Sequence, residues 1–78
     1  MTDIKLPIKI LMNHVLDVYC DFDDLTQSLV RNWDSIAHLN LIIEIELSFG
    51  ISIEPDEIIQ MTDFNSVYLI VSKKLNLI

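Results

Sequence analysis

The chain has 78 residues, 51% of them hydrophobic, with 5 basic against 12 acidic side chains and a formal charge of -7. A length of this order holds one domain, here residues 1–78, and leaves no room for a cofactor cleft between two lobes. The acid excess argues against a nucleic-acid partner, which needs clustered Lys and Arg, and the apolar content is too high for an acidic disordered tail.

At the N-terminus, Lys5 and Lys9 flank a short apolar run. No long apolar core and no small-residue cleavage site follow, which argues against a signal peptide. A first helix is expected from about Pro7 to Tyr19. Proline suits a first helical turn, where its missing N–H is no loss. Ile8, Leu11, Val15 and Val18 recur at helical spacing, with Met12, Leu16 and Tyr19 widening that face and Lys9, Asn13 and Asp17 on the wet side.

Residues 20–33 lack clean periodicity. Asp21, Asp23 and Asp24 favour a loop, and Phe22, Leu25, Leu29 and Val30 are expected to pin it to the core. Long ordered loops in small domains are often functional. Cys20, the one cysteine, excludes an intrachain disulfide. A chain this short usually needs a covalent staple outside a reducing compartment, so the cytoplasm is the expected location. Acids surround Cys20, the reverse of the positive setting a reactive thiol requires.

The second helix is expected over 35–49, stopped by Gly50, the single glycine. It has two apolar stripes. At about 100° per residue, Leu41, Ile42, Ile45 and Phe49 share one side, while Ile36, Leu39, Ile43 and Leu47 share nearly the opposite one. Periodicity alone leaves two readings open: a central helix covered on both sides, or one stripe facing a partner. Asn40, Glu44 and Glu46 rule the segment out as a membrane span. Asp34-Ser35 stands at the helix start, where either residue serves as an ordinary N-cap. Glu54-Pro55-Asp56-Glu57 opens a short third helix running to about Met61. Thr62-Asp63 caps a fourth, from about Phe64 to Leu75, with Phe64, Val67, Tyr68, Val71 and Leu75 on one face and Lys73 and Lys74 in the last turn.

This order of events resembles the acyl carrier protein family, also called the phosphopantetheine-attachment domain, over nearly the whole chain and most closely from Trp33 to Val67. Trp33-Asp34-Ser35-Ile36-Ala37-His38-Leu39 is similar to the family's modification motif. Glu44-Ile45-Glu46-Leu47-Ser48-Phe49-Gly50-Ile51 is similar to its helix-two ending. The resemblance implies an all-α fold: a small four-helix bundle of three main helices and one short one, with a long loop between helices one and two. It implies a covalent 4′-phosphopantetheine on Ser35, placed there from coenzyme A by a separate phosphopantetheinyl transferase, with Asp34 as the adjacent acid. It implies a non-catalytic carrier that presents acyl thioesters to acyl-activating, acyltransferase or synthase enzymes. By the same resemblance helix two is the recognition helix, with Ile36, Leu39, Ile43, Glu46 and Leu47 as docking residues. A monomer is expected.

Three departures from the family pattern stand out. Asn32 occupies a position where glycine is common and can supply a left-handed turn. Trp33 is bulkier than the usual occupant, so it anchors the loop or forms contact surface. Helix two keeps only Glu44 and Glu46 as acids, which points to a carrier in one specialised fatty-acid, polyketide or related pathway. An aminoacyl or peptidyl carrier, and an unmodified helical interaction module, are the alternatives. His38, one turn after Ser35, invites a triad with Asp34. No cleft or oxyanion hole accompanies it, so a helix-surface or pocket-edge histidine is expected. His14 and His38 lack ligand-spaced companions, so no metal site is expected. Asp21, Asp23, Asp24 and Asp34 lead to Ser35, with Glu44 and Glu46 beyond it, and a negative field around the serine is expected to attract basic partners.

Overall fold

A computed structural model describes residues 3–77. The order is α1 (Lys5–Leu16), a 3₁₀ turn (Phe22–Asp24), α2 (Ser35–Phe49), α3 (Pro55–Gln60) and α4 (Phe64–Lys74). Pairing among the described residues outside helices is limited to an isolated bridge between Thr26 and Asp63. The all-α bundle expected from the sequence is the observed fold.

α1 starts at Lys5, whose N–H donates to the Asp3 carboxylate at 2.9 Å. Pro7 still lies in the first turn, where no intrahelical acceptor awaits its N–H. The helix ends at Leu16, earlier than expected, because Asp17 takes a left-handed conformation at φ 55. The N–H of Val18 then donates to the Asn13 carbonyl at 3.0 Å, a helix-closing pattern. Ile8, Met12 and Leu16 are fully buried, but Tyr19, beyond the turn, is fully exposed rather than part of the apolar face. Asn13 is also not simply wet. Its Oδ1 accepts from Cys20 N–H at 2.7 Å, and its Nδ2 donates to the carbonyls of Cys20 and Lys9, so it holds the returning chain.

The long loop is packed through Leu25, Val30 and Trp33, all buried; Leu29, expected with them, is exposed. Phe22 meets Phe64 edge-on at 4.7 Å, under the Lys9 ammonium. Phe64 N–H donates to Leu25 O at 2.7 Å and Gln27 N–H to Thr62 O at 2.9 Å, tying the loop to the start of α4. Asn32 does not make a left-handed turn: the non-glycine positive φ values belong to Asp17 and Asn76. Its Nδ2 instead donates to the Leu16 carbonyl at 3.1 Å, satisfying an orphan acceptor at the end of α1.

α2 buries Leu41, Ile42 and Ile45 against the bundle and stops at Gly50, φ 65, a conformation glycine adopts without a Cβ penalty. α4 contributes Phe64, Val67, Ile70 and Val71 to the same core. Asp63 and Ser66 form a capping box at its start. Full burial of such side chains is worth about 1.5–3 kcal/mol each. α3 has its own capping box, between Glu54 and Glu57, but no fully buried residue. It is tied to α4 by Glu57 and Lys74 at 2.7 Å.

Candidate functional site

The start of α2 is set by Asp34. Its backbone is extended, at φ -94 and ψ -172, and its side chain accepts from the Ala37 N–H at 2.8 Å. Its carbonyl accepts from the His38 N–H at 2.8 Å, the first bond of the helix. Asp34 is therefore the N-cap, and Ser35 is the first helical residue. The Ser35 and Ile36 amides belong to the first turn, which has no intrahelical acceptors. They sit at the positive end of a 15-residue helix. An anion attached to Ser35 would meet both donors and the dipole.

The chain has serines at positions 28, 35, 48, 52, 66 and 72, and their settings differ. Ser72 is buried. Ser66 has its hydroxyl engaged in the α4 capping box. Ser28 pairs with Thr26 at 3.3 Å. Ser48 lies at the negative end of α2, unfavourable for a phosphate, and Ser52 lies in the connection that follows. Ser35 alone combines an exposed side chain with a helix N-terminus and an acidic neighbour.

Behind the serine lies an unforeseen relay. Trp33, 5% exposed, donates its indole N–H to His38 Nδ1 at 2.9 Å, and His38 Nε2 meets the Ile58 carbonyl at 2.8 Å. An indole nitrogen only donates and a carbonyl only accepts, so the imidazole holds its proton on Nε2. Both ring nitrogens are engaged away from Ser35, so His38 cannot serve as base in a triad with it. The relay joins the loop, α2 and α3, and it makes Trp33 the loop's anchor. A buried indole that needs an acceptor, five residues before a histidine, was the available signal in the sequence.

Ser35, Asp34, Trp33, His38, Gln27 and Leu39 line one shallow, open groove. From its edge the second stripe of α2 runs along the surface: Ile36 is 72% exposed, Leu39 56%, Ile43 51% and Leu47 75%. Among the described residues nothing covers it, so of the two readings left by periodicity the outward face is the one observed. Glu46 differs from these four. Its Oε2 accepts from the Ile53 N–H at 2.9 Å, holding the connection after α2.

Some acids of the loop lie away from the serine's groove. Asp21 pairs with Lys9 at 3.1 Å. Asp17, Asp21 and Asp24 line a different groove, along α1. Of the expected acids, Asp34 shares a groove with Ser35. On α3, the Lys74 ammonium holds the Glu57 carboxyl below its ordinary value, and Glu57 in turn raises Lys74. No group of His, Cys, Asp and Glu suited to a metal ion occurs among the described residues. None of their helices is long and apolar enough to cross a membrane.

No family model and no curated protein matches the chain. Among solved structures, the chain is similar to the solution NMR structure of a holo acyl carrier protein from Geobacter metallireducens. The TM-score is 0.81 at 21% sequence identity, with 94% of this chain and 86% of that chain covered. At that identity the likeness shows the fold: the bundle is the acyl-carrier fold.

Proposed function

We propose that this chain is an acyl carrier protein, modified on Ser35 with 4′-phosphopantetheine. The observation that carries the reading is the exposed Ser35 hydroxyl at the first position of α2, capped by Asp34, in a bundle of acyl-carrier fold. The residues present fit the group: a free hydroxyl to esterify, and two first-turn amides and a helix dipole to receive the phosphodiester.

In the modification step, Ser35 Oγ attacks the phosphorus of coenzyme A that bears the pantetheine. A new Oγ–P bond forms and the pyrophosphate P–O bond breaks, so 3′,5′-adenosine diphosphate leaves. The hydroxyl proton passes to a base on the transferase, since neither nearby group bonds the Ser35 hydroxyl: Asp34 caps Ala37 and His38 bonds Trp33 and Ile58. When attached, the arm supplies a terminal thiol that holds acyl groups as thioesters. The chain's own part is to tether, present and dock. A tether raises the local concentration of the bound group at each partner's active site. Ile36, Leu39, Ile43 and Leu47 form the docking stripe beside the arm for acyl-activating, acyltransferase or synthase partners, and Glu46 borders it while bracing the α2–α3 connection. The work belongs to the cytoplasm, in a fatty-acid, polyketide or related pathway.

The reading is tested by incubating the protein with coenzyme A and a broad-specificity phosphopantetheinyl transferase and measuring intact mass. The expected result is the gain of one phosphopantetheinyl group, absent in Ser35→Ala. No gain on a folded chain with an active enzyme contradicts it and leaves the exposed stripe as the mark of an unmodified interaction module. An aminoacyl rather than acyl carrier would be revealed by which activating enzymes load the thiol.

A further inference from the structure

Resting on the reading of Ser35 as the attachment residue, we infer that the groove formed by Gln27, Trp33 and Leu39 beside Ser35 is a docking site for the proximal half of the pantetheine arm. The occupant follows from connectivity. Ser35 is itself part of the groove's lining, so any group esterified to its hydroxyl begins inside the groove.

The walls match that group's chemistry. After the phosphate, the arm carries a carbon with two geminal methyls, a hydroxyl and an amide. The groove's floor includes the Trp33 indole, of which only 5% is exposed, and Leu39, 56% exposed, also lines it. Leu39 offers the larger apolar surface to the methyls and the indole a small one. Gln27 is exposed, and among the described residues its side-chain amide makes no hydrogen bond, leaving a donor and an acceptor to pair with the arm's amide. Asp34 is the only charged side chain in the groove, and its carboxylate is engaged by the Ala37 N–H. The rest is neutral, as the arm beyond its phosphate is neutral.

The floor is also fixed in advance. The bonds from Trp33 to His38 and from His38 to Ile58 hold the indole in place, and a preformed surface orders a ligand at lower entropic cost. Docking only the proximal half leaves the distal amide and thiol free to reach a partner, so the site does not compete with carriage. The part played by His38 is positional: it holds the floor.

The experiment uses the full chain, loaded with phosphopantetheine from coenzyme A and verified by intact mass, with isotope labelling for NMR. The arm's geminal methyls should show nuclear Overhauser contacts to the Trp33 ring and the Leu39 methyls, and the Gln27 side-chain amide resonances should shift on loading. Gln27→Ala, at an exposed position, should in its loaded form lose intensity in those contacts. A loaded protein without contacts to Trp33 and Leu39 overturns the proposal, as does full contact intensity in Gln27→Ala. Failure to load at all instead overturns the carrier reading on which it rests.

Discussion

Asp34 and Ser35 divide the chemistry of one helix end between them. Asp34 satisfies the amide of Ala37, while Ser35 keeps its hydroxyl in solvent. Asp34→Ala should therefore destabilise the fold by about 1 kcal/mol, as N-cap losses do, and Asp34→Asn should recover most of it; urea denaturation measures both. Trp33→Phe keeps the apolar anchor but removes the donor to His38 Nδ1. A further loss of about 1 kcal/mol is expected, with faster amide exchange where His38 meets Ile58. At this scale the sequence was half legible. The cap and the serine could be read because capping is local chemistry. The relay could be read only at its Trp33–His38 end, because Ile58 reaches His38 only after α3 folds back against α2. Asn32 shows the same limit: its composition pointed to a left-handed turn, but its amide bonds Leu16 instead.

Among elements, α2 shows how one helix serves two surfaces. Its core stripe and its exposed stripe lie nearly opposite, and both were visible as periodicity. Periodicity did not say which stripe faced out, since that depends on where α1 and α4 pack; the family resemblance named Ile36, Leu39, Ile43 and Leu47, which are exposed. Leu41, fully buried, should cost about 2–5 kcal/mol when cut to Ala. Leu39→Asp and Ile43→Asp should change stability by only about 0.5 kcal/mol while slowing transfer by partner enzymes; unfolding of either variant would make the stripe structural. The end of α1 was misjudged because the apolar spacing runs on to Tyr19, while the left-handed Asp17 ends the helix first.

α3 depends on a tie that responds to acid. Lys74 holds the Glu57 carboxyl below its ordinary value of 4.5. A carboxyl with a lowered folded pKa stabilises the fold above its unfolded value, and that contribution fades as pH falls through the folded value. The tie should hold at neutral pH and weaken progressively below about pH 4.5. Hydrogen exchange across α3 should show it, and in Lys74→Ala this acid-dependent step should shrink.

For the whole molecule, the net charge of -7 argues against a nucleic-acid partner, and part of it lies away from the serine. Asp21 is tied to Lys9 and lines the α1 groove with Asp24, while Asp34 is the acid that lines the serine's groove. On the proposed reading, encounter with a basic partner would be steered by the field of the whole chain, with contact made by the apolar stripe. Transfer rates should fall with added salt, since charge steering is screened, without being abolished.

On the proposed reading Ser35, among the serines of this chain, bears the arm. Fragmentation mass spectrometry of the transferase-treated protein tests it most directly. The added phosphopantetheinyl mass is expected on Ser35. Its appearance on Ser28, Ser48 or Ser52, or its absence from a folded chain treated with active enzyme, would contradict the account.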